Sequence, residues 1–310
     1  MNILIIGLGS IGQRHLRNIK VVLKHKHSQI YALRKKFRTP LLSSRNLPTP
    51  GSLEKKFNIK LIDNIEEIAK KKIDIDAAFV CSPTSHHIAE AIWLIKNNIN
   101  CFIEKPLSNN IKKILTLKKI LKKKTKVNTM MGYQLKFDPI IRYLQDLDKI
   151  EKKIGKINFV SINHGENIKD FHPWENYTKS YAANKKLGGG VTLSQIHEFE
   201  YFQTIFSNYT IIKKSSIIDR VSELKIDVDD TSSHIFLLKK KNKNKKIICN
   251  INLNFYQRPK ERIVKFIGEN GTLNANLIEK KISINKNNKQ KLQTIKFKYD
   301  RNDLFLNEIK

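Results

Sequence analysis

Three short stretches of this 310-residue chain carry residue types at spacings that could do chemistry. The first is Gly7-Leu8-Gly9-Ser10-Ile11-Gly12, set between an apolar run, Asn2 to Ile6, and a helix-like stretch, Ile11 to Leu23. There Gly7 would permit a tight turn, Gly9 a close backbone approach to a pyrophosphate, and Gly12 close packing of helix on strand. The N–H groups of the helix start, at Ser10 and Ile11, would face the phosphates. A bare structural turn is the alternative. The second stretch is Glu104-Lys105-Pro106, which follows the apolar Cys101-Phe102-Ile103. A lysine emerging at the carboxyl end of a buried strand stands where open α/β sheets bind ligands, and burial would lower its pKa towards neutrality. Lys105 could then take a hydroxyl proton as hydride leaves and return it in the reverse direction, with Glu104 holding its position and Pro106 setting the backbone behind it. The competing reading is one exposed lysine among 49. The third is His197, on the helix-like Leu193 to Phe206 behind a flexible Gly188-Gly189-Gly190. A neutral imidazole could share the proton or hydrogen-bond the reacting oxygen; a satisfied core histidine would read the same way.

Softer candidates surround these. The second strand, Gln29 to Leu33, ends without the Asp or Glu that usually meets the ribose 2′-hydroxyl of NAD. Arg34, Lys35 and Lys36 follow instead, and a guanidinium can grip a 2′-phosphate in bidentate fashion, so NADP is expected over NAD. A solvated basic cluster is the alternative. Ser82, Pro83, Thr84 and His86 form a loop after the strand Asp76 to Cys81, bordering ribose or nicotinamide, or else a plain turn with Ser85 as helix cap. Tyr133 and Gln134 follow Gly132 at the domain junction, where a core role for Tyr133 is one reading. Arg258 and Arg262 could bind an anionic substituent or be solvated. His164 and His172 have no ligand spacing, so no metal is expected.

The elements that must position these residues alternate. Strand-like runs at Asn2 to Ile6, Gln29 to Leu33, Asp76 to Cys81, Asn100 to Glu104 and Lys126 to Met131 are separated by helix-like stretches at Ile11 to Leu23, Ser85 to Lys96 and Ile111 to Leu121. That pattern predicts an α/β fold with a parallel, doubly covered sheet over residues 1–125, the alternative being a last strand that extends to Gly132. Beyond Ile150, strand-like segments at Lys156 to Asn163, Thr231 to Leu238, Lys246 to Phe255, Arg262 to Ile267 and Thr272 to Asn276 predict an α+β domain with an open, mostly antiparallel sheet over 126–310.

The net charge of +31 raises the question of nucleic acid, but 49 of the 59 basic residues are lysines scattered over nearly every helix and loop rather than one stripe with interleaved aromatics. No nucleic-acid partner is expected. No run reaches the ~20 apolar residues of a membrane span, and the first residues lack a signal-peptide pattern, so a cytoplasmic protein without membrane attachment is expected. Cys81, Cys101 and Cys249 show no Cys-x-x-Cys spacing and fall in apolar runs, which predicts buried, reduced thiols.

Taken in order, Gly7 to Asn18, Ser82-Pro83-Thr84-Ser85-His86, Glu104-Lys105-Pro106, Gly132-Tyr133-Gln134, Gly188-Gly189-Gly190 with His197, and Gly268 to Leu273 resemble the glucose-fructose oxidoreductase, inositol dehydrogenase and rhizopine-catabolism family, Gfo/Idh/MocA, over nearly the whole chain. The resemblance implies a Rossmann domain followed by an α/β domain, an NAD(P)-dependent dehydrogenase or reductase acting on a sugar, cyclitol or nucleotide sugar, Lys105 as the active-site lysine, Tyr133 and Gln134 touching nicotinamide and substrate, His197 in the second-domain catalytic segment, and a homo-oligomer. Two departures stand out. Ser194 occupies the place where many members carry an Asp one turn before the His, which motivates a second reading as a cofactor-binding regulator or sensor without turnover. The chain also stops at Asn307-Glu308-Ile309-Lys310 as an amphipathic helix begins, where the family normally continues.

Overall fold

The computed structural model describes residues 1–24, 27–34, 39–124, 126–286 and 292–310, which form two compact units. The first holds Met1–Tyr133 with Lys186–Gly189 and Phe305–Lys310; the second holds Gln134–Lys185 and Gly190–Leu304.

Six strands, β1 (Asn2–Ile6), β2 (Gln29–Leu33), β3 (Ile59–Ile62), β4 (Ala77–Val80), β5 (Asn100–Glu104) and β6 (Thr129–Gly132), make the parallel sheet of the first unit in the order β3-β2-β1-β4-β5-β6. Helices α1 (Ser10–Val22), α2 (Leu53–Phe57), α3 (Glu66–Lys70), α4 (Thr84–Lys96) and α5 (Ile111–Lys123) lie in the crossovers. The central strands are apolar throughout because both sheet faces are covered. Leu4, Ile6, Ala78, Val80 and Ile103 pack with Leu94, Ile95 and Leu117, while Ile3, Ile5, Phe79 and Phe102 pack with Leu16 and Ile19. Each of the Leu, Ile, Val and Phe side chains among them contributes on the order of 1.5–3 kcal/mol by leaving water. The strand order reverses between β1 and β4, so their carboxyl ends flank the switch point where sheets of this kind hold ligands.

The first unit runs past the expected boundary at 125, because β6 pairs in parallel with β5 through Cys101 to Glu104 and joins the same sheet. Residue 125 itself, with Lys35 and Lys36, lies outside the described residues. The spacing also gave no sign of α2, β3 or α3, elements of four or five residues that are too short to show a period.

The second unit carries α6 (Pro139–Leu144), α7 (Leu147–Ile154), α8 (Val191–Ser194) and α9 (His197–Ile205) beside β7 (Ile157–Gly165), β8 (Tyr209–Asp219), β9 (Thr231–Lys240), β10 (Lys246–Asn254), β11 (Glu261–Gly268), β12 (Gly271–Asn276), β13 (Lys281–Lys286) and β14 (Gln293–Lys296). These strands form one sheet, β14-β13-β12-β11-β7-β10-β9-β8, antiparallel except where β7 meets β10. The fold class expected from the sequence is thus the fold class found. One sheet face is buried through Val160, Ile162, Phe236, Leu238, Ile251, Leu253, Val264 and Phe266 against Ile150, Ile154, Tyr201, Phe202 and Ile205. On the other face Ser233 donates to Asn252 (2.7 Å), Asn252 to Asn163 (2.9 Å) and Asn163 to Ser161 (3.0 Å), a polar row across three strands. Isoleucines flank it: Ile217, Ile235 and Ile248 are 70%, 53% and 45% exposed.

Three differences from the sequence reading matter for function. The helix expected over Leu193 to Phe206 is broken into α8 and α9, with Gln195 leaving the helix and its side-chain amide donating to the Asn254 carbonyl (3.3 Å). Strand β8 carried no alternation, because Thr210 to Asp219 are exposed on both faces. The helix expected to begin at Asn307 begins at Arg301; it is α10 (Arg301–Ile309), of which Leu304, Phe305 and Glu308 are buried. Among the described residues no helix is long and apolar enough to cross a membrane. Cys81, Cys101 and Cys249 are free and buried, and burial pushes the Cys101 thiol up to about 12.

Candidate functional site

The glycine loop in the first unit has the geometry its spacing called for. Gly7 adopts φ +91°, and a Cβ there would lie 2.7 Å from the Cys81 carbonyl oxygen; a Cβ on Gly12 would lie 2.0 Å from the carbonyl oxygen of Gly7 itself. Only glycine fits at either position. Gly9 differs: no atom lies within 4 Å of where its Cβ would be, so the backbone borders open space. Helix α1 starts here with no side-chain cap and no acidic residue in its first turn. Its leading N–H groups and positive dipole end therefore suit a pyrophosphate, and the residues present fit a dinucleotide. Ser10 turns its hydroxyl to Asn46 (2.7 Å), and Ile11 is half-buried. Gln13, buried and not expected from the sequence, clamps the loop: its amide donates to the carbonyls of Leu8 (3.2 Å) and Pro40 (2.8 Å) and accepts from the Leu42 N–H (2.8 Å).

Lys105 emerges at the end of β5, half-buried rather than buried, and its backbone is held from both sides. Glu104, 5% exposed, accepts the Lys105 N–H on Oε2 (3.1 Å), while its Oε1 lies 2.7 Å from His15 Nε2. His15 is fully buried on α1 in a box of Phe79, Phe102 and Phe305, with ring centroids 5.5, 5.0 and 6.1 Å away. The helix that starts at the glycine loop is thereby tied to the strand that ends at the lysine. Glu104 thus steadies Lys105 through the main chain.

On the far side His87 joins the two loops. Its Nδ1 lies 2.9 Å from the Pro106 carbonyl and its Nε2 2.7 Å from the Ser82 carbonyl. Two carbonyl acceptors need two N–H donors, so both bonds exist together only on the imidazolium, whereas burial pushes the His87 pKa down and the two carbonyls oppose it. Of the loop residues singled out from the sequence, Ser82 donates to Glu90 (2.5 Å), Pro83 rather than Ser85 stands at the N-cap of α4 with no side-chain cap, Thr84 is buried, and His86 is half-buried. The bridging imidazole is the next residue along. Gly188 belongs to the same neighbourhood: with φ +81°, a Cβ on it would lie 2.8 Å from Thr84 Cβ. A position read from the sequence as flexible is sterically specified.

Arg34 follows β2 as expected but is engaged. Its side chain is 10% exposed, Nη1 donates to Glu54 Oε1 (3.2 Å) and Nη2 to the Thr39 carbonyl (2.5 Å). The guanidinium that was to receive a 2′-phosphate already has a carboxylate partner.

In the second unit Gly190, with φ +108° and a would-be Cβ 2.1 Å from Asp229 Oδ1, leads into α8, whose start is held by Asp229 accepting from Thr192 N–H (2.9 Å) and Oγ1 (2.8 Å). Ser194 ends α8 and His197 opens α9; they are 7% and 3% exposed. Beside His197 in the chain, Glu198 is fully buried and accepts from Arg262 Nε (2.7 Å), with His164 Nδ1 3.0 Å from the same oxygen. Glu166 pairs with Lys260 (2.6 Å) at the outer end of this row. Burial pushes both carboxyls up, but Arg262 and His164 hold Glu198 well below the usual carboxylate range, and His164 with Lys260 holds Glu166 at about 2. Arg262, left open from the sequence, is therefore the partly buried counter-ion of the fully buried Glu198, whereas Arg258 forms an exposed pair with Asp170. Tyr133 closes the first unit and Gln134, 7% exposed, opens the second.

Residues 1–133 match the oxidoreductase family with an NAD-binding Rossmann fold, GFO_IDH_MocA. Among curated protein sequences none matches. Among solved structures, myo-inositol 2-dehydrogenase from Lactobacillus plantarum superposes with a TM-score of 0.71 at 19% identity, covering 100% of this chain and 87% of that one. The WlbA dehydrogenase from Bordetella pertussis, solved with NADH and UDP-GlcNAcA, gives 0.67 at 14% identity over 89% of this chain and 73% of its own. The UDP-N-acetylglucosamine 3-dehydrogenase GnnA from Acidithiobacillus ferrooxidans gives 0.68 at 13% identity over 100% and 88%. The likeness of these structures is one of fold, and the family match itself rests on residues 1–133, the main segment of the first unit.

Proposed function

We propose that this chain moves a hydride between a nicotinamide dinucleotide and a carbinol or keto carbon of a sugar, cyclitol or nucleotide sugar. The observation that carries the reading is the double anchoring of Lys105, by His15–Glu104 from the glycine-loop helix and by His87 at Pro106, at the sheet edge bearing the dinucleotide loop. When bound, the nicotinamide supplies the hydride acceptor or donor. Gly7, Gly9, Ser10, Ile11 and Gly12 hold the pyrophosphate, and Ser82, Pro83, Thr84, His86 and Glu104 border the ribose and nicotinamide. Lys105 takes the proton of the reacting hydroxyl and gives it back in reduction. His197 assists, and Tyr133, Gln134 and Ser194 contact the substrate. Because Ser194 cannot act as a carboxylate, the proton rests with Lys105 and His197. The substrate class is supported by the inositol and nucleotide-sugar dehydrogenases that share the fold.

Purified protein incubated with NADH, NADPH and their oxidised forms and a panel of sugars, cyclitols and nucleotide sugars is expected to change the nicotinamide absorbance with at least one of them. Tight cofactor binding with no turnover on any would favour the second reading, a cofactor-binding regulator or sensor, which Ser194 motivates. The three buried, unbridged thiols are in keeping with a cytoplasmic protein.

The open sheet face, with Ile217, Ile235 and Ile248 around the polar row, supports a homo-oligomer. Light scattering on the eluted protein is expected to give at least twice the 36.1 kDa chain mass, and a monomer at micromolar concentration would remove the proposal.

A further inference from the structure

The end of β2 bears on which dinucleotide fits. Gly7 N donates to the Leu33 carbonyl (3.0 Å), so Arg34 follows directly on the strand end that abuts the glycine turn. Opposite Arg34 stands a carboxylate whose position is built in. Ser52 caps α2 by accepting from the Lys55 N–H (3.3 Å), and its hydroxyl donates to Glu54 Oε2 (2.5 Å), leaving Oε1 for the guanidinium. The Ser52 hydroxyl first, and Arg34 with it, holds the Glu54 carboxyl below its usual range, so it is ionised at neutral pH. The remaining contact of Arg34, to the Thr39 carbonyl, uses the other arm of the fork.

We infer that Glu54 selects against a 2′-phosphate and makes this chain prefer NAD(H), by occupying the Arg34 guanidinium from a position set by the α2 cap. The inference rests on the dinucleotide reading of the glycine loop. A 2′-phosphate dianion reaching for Arg34 must break the Arg34–Glu54 pair and then face the released carboxylate, and like charges brought together oppose binding. The neutral 2′-hydroxyl of NAD meets neither obstacle. The basic residue that made NADP the expectation from the sequence is therefore neutralised by an acidic residue 20 positions further along.

The test is fluorescence titration of the full chain with NADH and NADPH, for the native protein, Glu54→Gln, and Glu54→Gln combined with Arg34→Ala. The native protein is expected to bind NADH at least about tenfold tighter than NADPH, one factor of ten being about 1.4 kcal/mol. Glu54→Gln is expected to shift the affinity ratio towards NADPH by about tenfold, and adding Arg34→Ala to cancel that shift. A native preference for NADPH, or a ratio unmoved in Glu54→Gln, overturns the inference while leaving the dinucleotide reading intact. Failure of the native protein to bind either nucleotide overturns both.

Discussion

Lys105→Ala is expected to lower kcat by about 10²- to 10⁴-fold, the usual worth of a positioned proton-transfer group, while cofactor binding persists. The substitution removes only the amine. The contacts that shape this corner are made by main-chain atoms, the Lys105 N–H to Glu104 and the Pro106 carbonyl to His87, and alanine keeps them. A loss of turnover can then be assigned to proton transfer rather than to a displaced loop. A supporting result would be partial recovery of rate with added small primary amines, which could stand in the vacated space. An Ala variant with native kcat would sink the assignment of Lys105 as general acid/base.

Arg262→Met is expected to cost about 3–5 kcal/mol of stability, measured by denaturant unfolding of the second unit at pH 7, because it leaves Glu198 buried without its counter-ion. Arg258→Met, which removes an exposed pair with Asp170, is expected to change nothing measurable. The pH dependence follows from the depressed carboxyls. Glu198 and Glu166 lie below their ordinary value of 4.5 in the folded protein, so their contribution is fully present above that value. As pH falls, the unfolded chain takes up protons first, and the stabilisation drains away from 4.5 towards the folded value, about 2 for Glu166. In Arg262→Met only His164 remains to oppose burial at Glu198, so the Glu198 pKa rises and the gap between variant and native protein should narrow on acidification below 4.5. Equal effects of the two arginine substitutions at pH 7 would contradict a buried role for the Arg262–Glu198 pair.

Much of the frame was legible in the letters, for a local reason. A parallel strand covered on both faces must be apolar along its length, as in Ile3-Leu4-Ile5-Ile6, and a turn with positive φ or a backbone closer than a methyl allows must be glycine, as at Gly7 and Gly12. These demands are met within a few residues of the letter that meets them. Lys105 at a strand end was readable on the same ground, because Cys101-Phe102-Ile103 announces the strand before it.

Side-chain partners were not readable, because they are chosen by segments far apart in the chain. His15 meets Glu104 across 89 residues and Arg262 meets Glu198 across 64. No spacing rule links them. His86 and His87 are neighbours with identical chemistry, and only the packing of α4 against the Pro106 turn brings the second between two carbonyls. Arg34 advertised a phosphate site until α2 brought Glu54 against it. The same holds for the break between α8 and α9, where a continuous helical pattern yields to the hydrogen bond from Gln195 to β10. The sequence thus specified the backbone and the chemistry on offer, since φ, burial and strand ends are local properties. Which charges are neutralised, which histidine bridges and which carboxylate each arginine meets were settled by tertiary contact, since electrostatics depends on distance in space and not along the chain.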